Sequence, residues 1–272
     1  HLHDFINIGE ANLTRRLHIL RLLDEDACFI FEQSAFMKQI GTVIFKSMND
    51  LNIKIAVSTE LYSKNPESSK LGKKIILNSI KLINEIGFEL FTFKKLGLLI
   101  HSPESSIYRY FESKHALLIY LISWYWTWIE YRIVFATNNI ESARERLRKS
   151  IQILTKPVLV ANPISYIDEV ILSEIIFTES LKAYHTKNVD KKNKKGSFAV
   201  YKNVVQKIAT IVLEIAPDFK FSHSLITTVI EGAHQQKYFA EHLPALTDIT
   251  EDTNSISEFY TDLVFKVLGK SS

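Results

Sequence analysis

Thr92-Phe93-Lys94-Lys95-Leu96-Gly97-Leu98-Leu99-Ile100-His101-Ser102-Pro103-Glu104-Ser105-Ser106-Ile107-Tyr108-Arg109-Tyr110-Phe111-Glu112-Ser113-Lys114 is the stretch on which the fold turns. Thr92 supplies a side-chain acceptor able to cap a short helix through Leu99. Ser102-Pro103 can begin another, because proline suits a first helical turn and serine offers an acceptor, and this helix is expected to reach about Phe111. Ser113 then caps a long apolar and aromatic helix from Lys114 to about Phe135. Upstream, Ile75, Ile76, Ile80, Leu82 and Ile83 recur at helical spacing from Lys73 and stop at Gly87, a common helix terminator. The outcome is three short helices followed by a long one, with a tight connection between the second and third.

Further downstream, helices are expected from Glu141 to about Thr155, Tyr166 to about His185, Phe198 to about Ile215, Ser222 to about Glu241, and Ile256 to Leu268. The chain breaks at Pro157 to Pro163. The lysine-rich run Lys187 to Lys195 reads as a solvated loop. Upstream, Leu13 to Leu23 and Ala27 to Phe45 have helical patterns, and the polar run Ser63 to Ser69 reads as a linker. Met48 lies between these parts, which leaves two readings of the first residues, an upstream extension or an accessory helical segment.

The composition agrees with an all-α chain. Only 8 Gly and 6 Pro in 272 residues leave little turn chemistry for a many-stranded sheet, while 46% hydrophobic residues suffice for a large core. The single cysteine, Cys28, cannot make an internal disulfide or a cysteine-based metal site, so a cytoplasmic setting is expected. The most apolar run, Leu117 to Phe135, contains Glu130 and Arg132 and falls short of a membrane span, so no membrane partner is expected. The net charge of +3 is too mild to name a partner by itself, but its distribution is informative. Between Lys70 and His115, seven lysines and Arg109 oppose Glu85, Glu89, Glu104 and Glu112, a local balance of +4.

Three short helices and a long one is the layout of a helix-turn-helix reader. Gly87-Phe88-Glu89, Thr92-Phe93-Lys94-Lys95-Leu96, Ile107-Tyr108-Arg109-Tyr110-Phe111 and Ser113-Lys114 with Leu117-Leu118 together resemble, without a gap, the N-terminal motif of the TetR (tetracycline repressor-like) family of transcriptional regulators. The resemblance implies a DNA-binding domain over residues 70–115 and an effector-binding and dimerisation domain over 116–272, after an N-terminal extension and linker over 1–69. It implies that residues from Ser102 to Arg109 face the major groove, that Tyr108 and Lys114 occupy phosphate-contacting positions, and that Phe88, Phe93, Leu96, Ile107 and Phe111 form the core of the reading head. The candidate DNA-contacting set is Lys73, Lys74, Thr92, Lys94, Lys95, Ser102, Glu104, Ser105, Ser106, Tyr108, Arg109, Tyr110 and Lys114. Two departures stand out: His101 replaces a turn glycine, and Glu104 puts an acid where a phosphate-facing lysine is frequent.

The long helix carries all three tryptophans, Trp124, Trp126 and Trp128. At helical spacing Trp124 and Trp128 share a face with Tyr131 and Phe135, whereas Trp126 points elsewhere. Such a cluster is either aromatic core or one wall of an apolar pocket completed by Phe177, Tyr184, Tyr201 and His234, and a pocket of that kind suits a small lipophilic or aromatic effector. The resemblance implies a homodimer pairing through the last two long helices and binding a palindromic operator, as a repressor. No Gly-rich phosphate loop or nucleophile elbow occurs, His223, His234 and His242 lack a metal-binding pattern, and His234 with Glu231 reads as a structural pair. Neither a reaction nor a cofactor is therefore assigned. The rival reading is a helical ligand-binding or interaction protein of the same fold without DNA affinity, motivated by His101 and Glu104.

Overall fold

The computed structural model describes residues 55, 57–158, 166–249 and 254–269. The helices expected before residue 46, Cys28, Met48 and part of the break after Pro157 lie outside the described residues. Among the described residues the regular structure is entirely helical, in the order α1 (Lys70–Leu90), α2 (Phe93–Leu99), α3 (Glu104–Tyr108), α4 (Lys114–Thr137), α5 (Ala143–Thr155), α6 (Glu169–Tyr184), α7 (Val189–Lys194), α8 (Ala199–Ile215), α9 (Ser222–His242) and α10 (Ser255–Gly269). Single 3-10 turns occupy Thr59–Leu61, Pro66–Ser68 and Pro244–Leu246. No described helix is long and apolar enough to cross a membrane.

Local chemistry explains most of the starts and stops. Ser69, Thr92, Ser113, Ser142 and Asp168 each accept a hydrogen bond from a backbone N–H in the first turn that follows. Each thereby satisfies a donor that has no partner inside its helix. Gly87 interrupts α1 at φ 74° and ψ 158°, a backbone region essentially restricted to glycine. The position of α4 follows from its composition. Every side chain from Leu117 to Thr127 is buried, as expected of a helix that is apolar on all sides. It runs through the body against α5, α6 and α8, and α9 and α10 close the far side against α5.

Three expectations change. α3 ends at Tyr108 and has Pro103 at its N-cap position, with no side-chain cap. Ser102 instead closes the preceding turn, donating its backbone N–H to the Gly97 carbonyl at 2.9 Å. The lysine run is not wholly loop, because Val189–Lys194 is helical. The polar run Ser63 to Ser69 is packed like a strap across the three-helix head, α1 to α3, and the helical body beyond it. Pro66 is buried against Gly72, Ser63 donates its N–H to the Tyr110 carbonyl, and the Ser69 and Tyr110 hydroxyls share a hydrogen bond of 2.7 Å. The Glu67 carboxylate accepts hydrogen bonds from the Tyr120 and Tyr166 hydroxyls.

Candidate nucleic-acid interface

α1, α2 and α3 enclose a small core of Ile75, Ile76, Phe88, Phe91, Phe93, Leu96, Ile107 and Phe111, all buried. The turn between α2 and α3 depends on two residues. A Cβ at Gly97 would stand 2.7 Å from the Ser102 carbonyl oxygen, so only glycine lets the chain double back so closely. His101 adopts φ 52° and occupies the left-handed conformation without being glycine. The replacement of a turn glycine therefore leaves the turn geometry in place at a modest strain, of the order of 1 kcal/mol. Gly97→Ala is expected to push Ser102 outward and loosen α3 against α2. A thermal melt should show the loss of stability, and an unchanged melting midpoint would contradict the close approach.

The turn borders an open groove of about 360 Å³ lined by Lys94, Gly97, Leu98, His101, Ser102, Pro103 and Glu104. On this side Lys94, Ser105, Tyr108 and Arg109 are exposed, and Ser102, Glu104 and Ser106 are half-buried. Tyr108 keeps its ring edge-on to Phe93 at 5.0 Å, so its phenol is held in a defined direction. Tyr110 is only 2% exposed and bonded to Ser69, which makes it part of the head's core rather than of its surface.

Several cations of the candidate set are occupied. Lys74 donates to the Ile100 carbonyl at 2.8 Å and Lys95 to the Leu90 carbonyl at 2.9 Å. Lys114 reaches the carbonyls of Phe88, Glu89 and Phe91 at 2.9, 3.0 and 3.2 Å, neutralising the oxygens left free where α1 ends. Lys73 lies over the Tyr166 ring. Thr92 is spent on its cap. Among the described residues the side chains of Lys94 and Arg109 are exposed and make no hydrogen bond, ion pair or ring contact, so they are the freest cations of the set.

The head is fastened to the body through α6. Glu179, nearly buried, accepts the Phe88 N–H at 3.1 Å and pairs with Lys182 at 2.6 Å, while Lys182 also reaches Glu89 at 3.3 Å. Sequence alone misses Glu179, because its partner lies 91 residues away.

The aromatic set divides rather than forming one wall. Trp126, outside the expected pocket, stacks on Tyr201 at 4.4 Å, and Tyr201 stacks on Tyr184 at 5.9 Å. Glu231 accepts the Tyr201 hydroxyl at 2.8 Å instead of pairing with His234. Burial and this carboxylate push the Tyr201 phenol well above the usual range. Phe177 and His234 form a second group at 4.3 Å, with the Lys237 ammonium over Phe177. Burial, with Lys237 adding to it, pushes His234 down to about 3. Trp128 carries the Arg132 guanidinium at 4.6 Å and Trp124 is buried, whereas Tyr131 is exposed and Phe135 is 74% exposed. His223 bonds Gln206, and His242 lies against Tyr238.

No known family profile matches the chain, and no curated protein matches it. Solved structures similar in outline include AibR in complex with isovaleryl coenzyme A and operator DNA, at 14% identity and a TM-score of 0.47 over 71% of this chain and 97% of that one. The superantigen PfiT gives 14% identity and a TM-score of 0.47 over 75% and 97% of the two chains. Apo AibR gives 15% identity and a TM-score of 0.40 over 70% and 96%.

Proposed function

We propose that the protein is a ligand-responsive DNA-binding regulator of transcription whose reading head comprises α1 to α3. The observation that carries this reading is the α2-turn-α3 unit. It keeps Ile107 and Phe111 inside while Ser105, Tyr108 and Arg109 stand exposed beside Lys94, so that one edge offers both base-reading and phosphate-binding groups. The agreement of this edge with the resemblance of residues 70–115 to the TetR family supports the assignment. On the same reading the effector is a small lipophilic or aromatic molecule engaging the aromatic body, and two copies pair through α9 and α10 to present two heads to a palindromic operator as a repressor. The effector acts by favouring the head spacing that does not fit the operator.

The test is selection from a random duplex pool at low and moderate salt, using the full chain and an Arg109→Ala, Tyr108→Phe variant. Phenylalanine at position 108 keeps the packing on Phe93 and removes only the hydroxyl. A palindromic site is expected whose affinity falls with salt and drops roughly 10- to 100-fold in the variant. If no sequence is enriched at low salt, the regulator reading fails. The protein is then a helical ligand-binding or interaction protein.

A further inference from the structure

The end of α6 is held at the reading head by the contacts of Glu179 with Phe88 and of Lys182 with Glu89. Three residues after α6 ends at Tyr184, the chain enters Lys187-Asn188-Val189-Asp190-Lys191-Lys192-Asn193-Lys194-Lys195, five lysines against one acid. The segment is shaped rather than loose. The Val189 N–H bonds the Thr186 carbonyl, Gly196 ends the turn at φ 79°, and the Ser197 N–H returns to the Lys192 carbonyl at 3.1 Å. Ser197 and Phe198 are buried behind it, with Phe198 edge-on to Tyr184 at 5.3 Å. Asn193 is fixed by the Lys202 ammonium at 2.5 Å.

The lysines are thus anchored from behind and directed outward. Lys187, Lys191, Lys194 and Lys195 are exposed, and among the described residues none of them makes an ion pair. Lys192 is half-buried and within electrostatic reach of Glu112 and His115, the residues flanking the start of α4. A cluster of unpaired ammoniums beside the head gains little from a folded protein on its own, since like charges held together repel. It gains much from a polyanion, whose condensed counterions are released when lysines replace them.

We propose that α7 and its flanking lysines form an accessory phosphate-binding surface that takes the backbone of duplex DNA beyond the base pairs read by α3. This rests on the DNA-reading assignment of the head. The surface adds affinity and salt dependence without sequence preference, because it reaches phosphates and not base edges.

The experiment measures affinity for a random-sequence duplex by fluorescence anisotropy across a salt series, using the full chain. The α7 variant carries Lys191→Gln, Lys194→Gln and Lys195→Gln. A control carries Lys149→Gln, Lys156→Gln and Lys220→Gln, removing the same charge from exposed positions on α5, just after it, and between α8 and α9. The α7 variant is expected to flatten the slope of log affinity against log salt by about 0.9 for each phosphate it no longer neutralises, and to bind about tenfold more weakly at low salt. Its melting midpoint should match the wild type. Equal effects in the two variants, or no effect of the α7 variant, overturn the proposal. So does loss of binding to phosphatidylserine vesicles with duplex affinity intact, which would mark a lipid surface. If the wild type binds no duplex at any salt, the DNA reading itself fails and takes this surface with it. If the wild type binds duplex and the α7 variant matches it, the accessory surface is overturned while the reading of the head stands.

Discussion

Trp126→Ala is expected to destabilise the protein by about 3–5 kcal/mol, the range for removing a large buried aromatic ring. Trp126 is only 2% exposed, lies edge-on to Tyr125 at 5.4 Å, and stacks on Tyr201 as the first of three successive rings. Neither neighbouring helix can collapse into the space easily. α4 is buried on every side there, and Tyr201 is tied to Glu231. A urea titration reads the loss. The comparison is Trp128→Ala, a half-buried ring under Arg132, expected to cost about 1–2 kcal/mol because solvent can take part of its place. Free indole should raise the midpoint of the Trp126 variant, since an apolar cavity of that size admits a planar guest. A loss below about 1 kcal/mol at Trp126 would show that the stack is not core.

Acidification from pH 7 to pH 5 is expected to cost about 2 kcal/mol through His234 alone. An unfolded histidine binds its proton near pH 6.5, whereas burial and Lys237 push His234 down to about 3 in the folded protein. Between those values the unfolded chain holds a proton that the folded chain refuses, so stability falls as pH drops through the window. Each unit removes about 1.4 kcal/mol once the unfolded group is fully protonated. His234→Phe keeps a ring on Phe177 and abolishes the titration. Urea midpoints of both proteins at both pH values isolate the contribution, because other groups titrate equally in each. Equal pH losses in the two proteins would mean that His234 accepts its proton when folded.

The three-helix head is legible in the sequence because its signals are local. Thr92 and Ser113 cap helices within three residues of themselves, Gly87 interrupts a helix by its own backbone angle, and the apolar spacing of Ile75, Ile76, Ile80 and Ile83 needs no distant partner. What stays hidden depends on long-range partners. The Ser63 to Ser69 run has the composition of a linker, and only Tyr110, Tyr120 and Tyr166, far along the chain, turn it into a strap. Tyr110 leaves the surface for the same reason. The sorting of the tryptophans fails differently. Helical periodicity selects a face only when one side is polar, and α4 is apolar all round in its central part, so nothing local marks Trp126 as the ring that meets Tyr201. The lysine run carries no apolar periodicity of its own, and the buried ring behind its helical turn, Phe198 against Tyr184, lies outside the run.

The bond from the Phe88 N–H to Glu179 gives this protein a built-in clock. That amide lies just beyond the break in α1 and is covered by a carboxylate from α6, so solvent deuterium is expected to reach it when the contact between α1 and α6 opens, even if each helix stays formed. Its exchange rate, set against those of amides deep in the buried stretch of α4, where opening is expected to need global unfolding, reports the free energy of opening that contact. A molecule that shifts this one rate while leaving α4 protected would be acting on the joint, and could be found by mass spectrometry before its binding site is known.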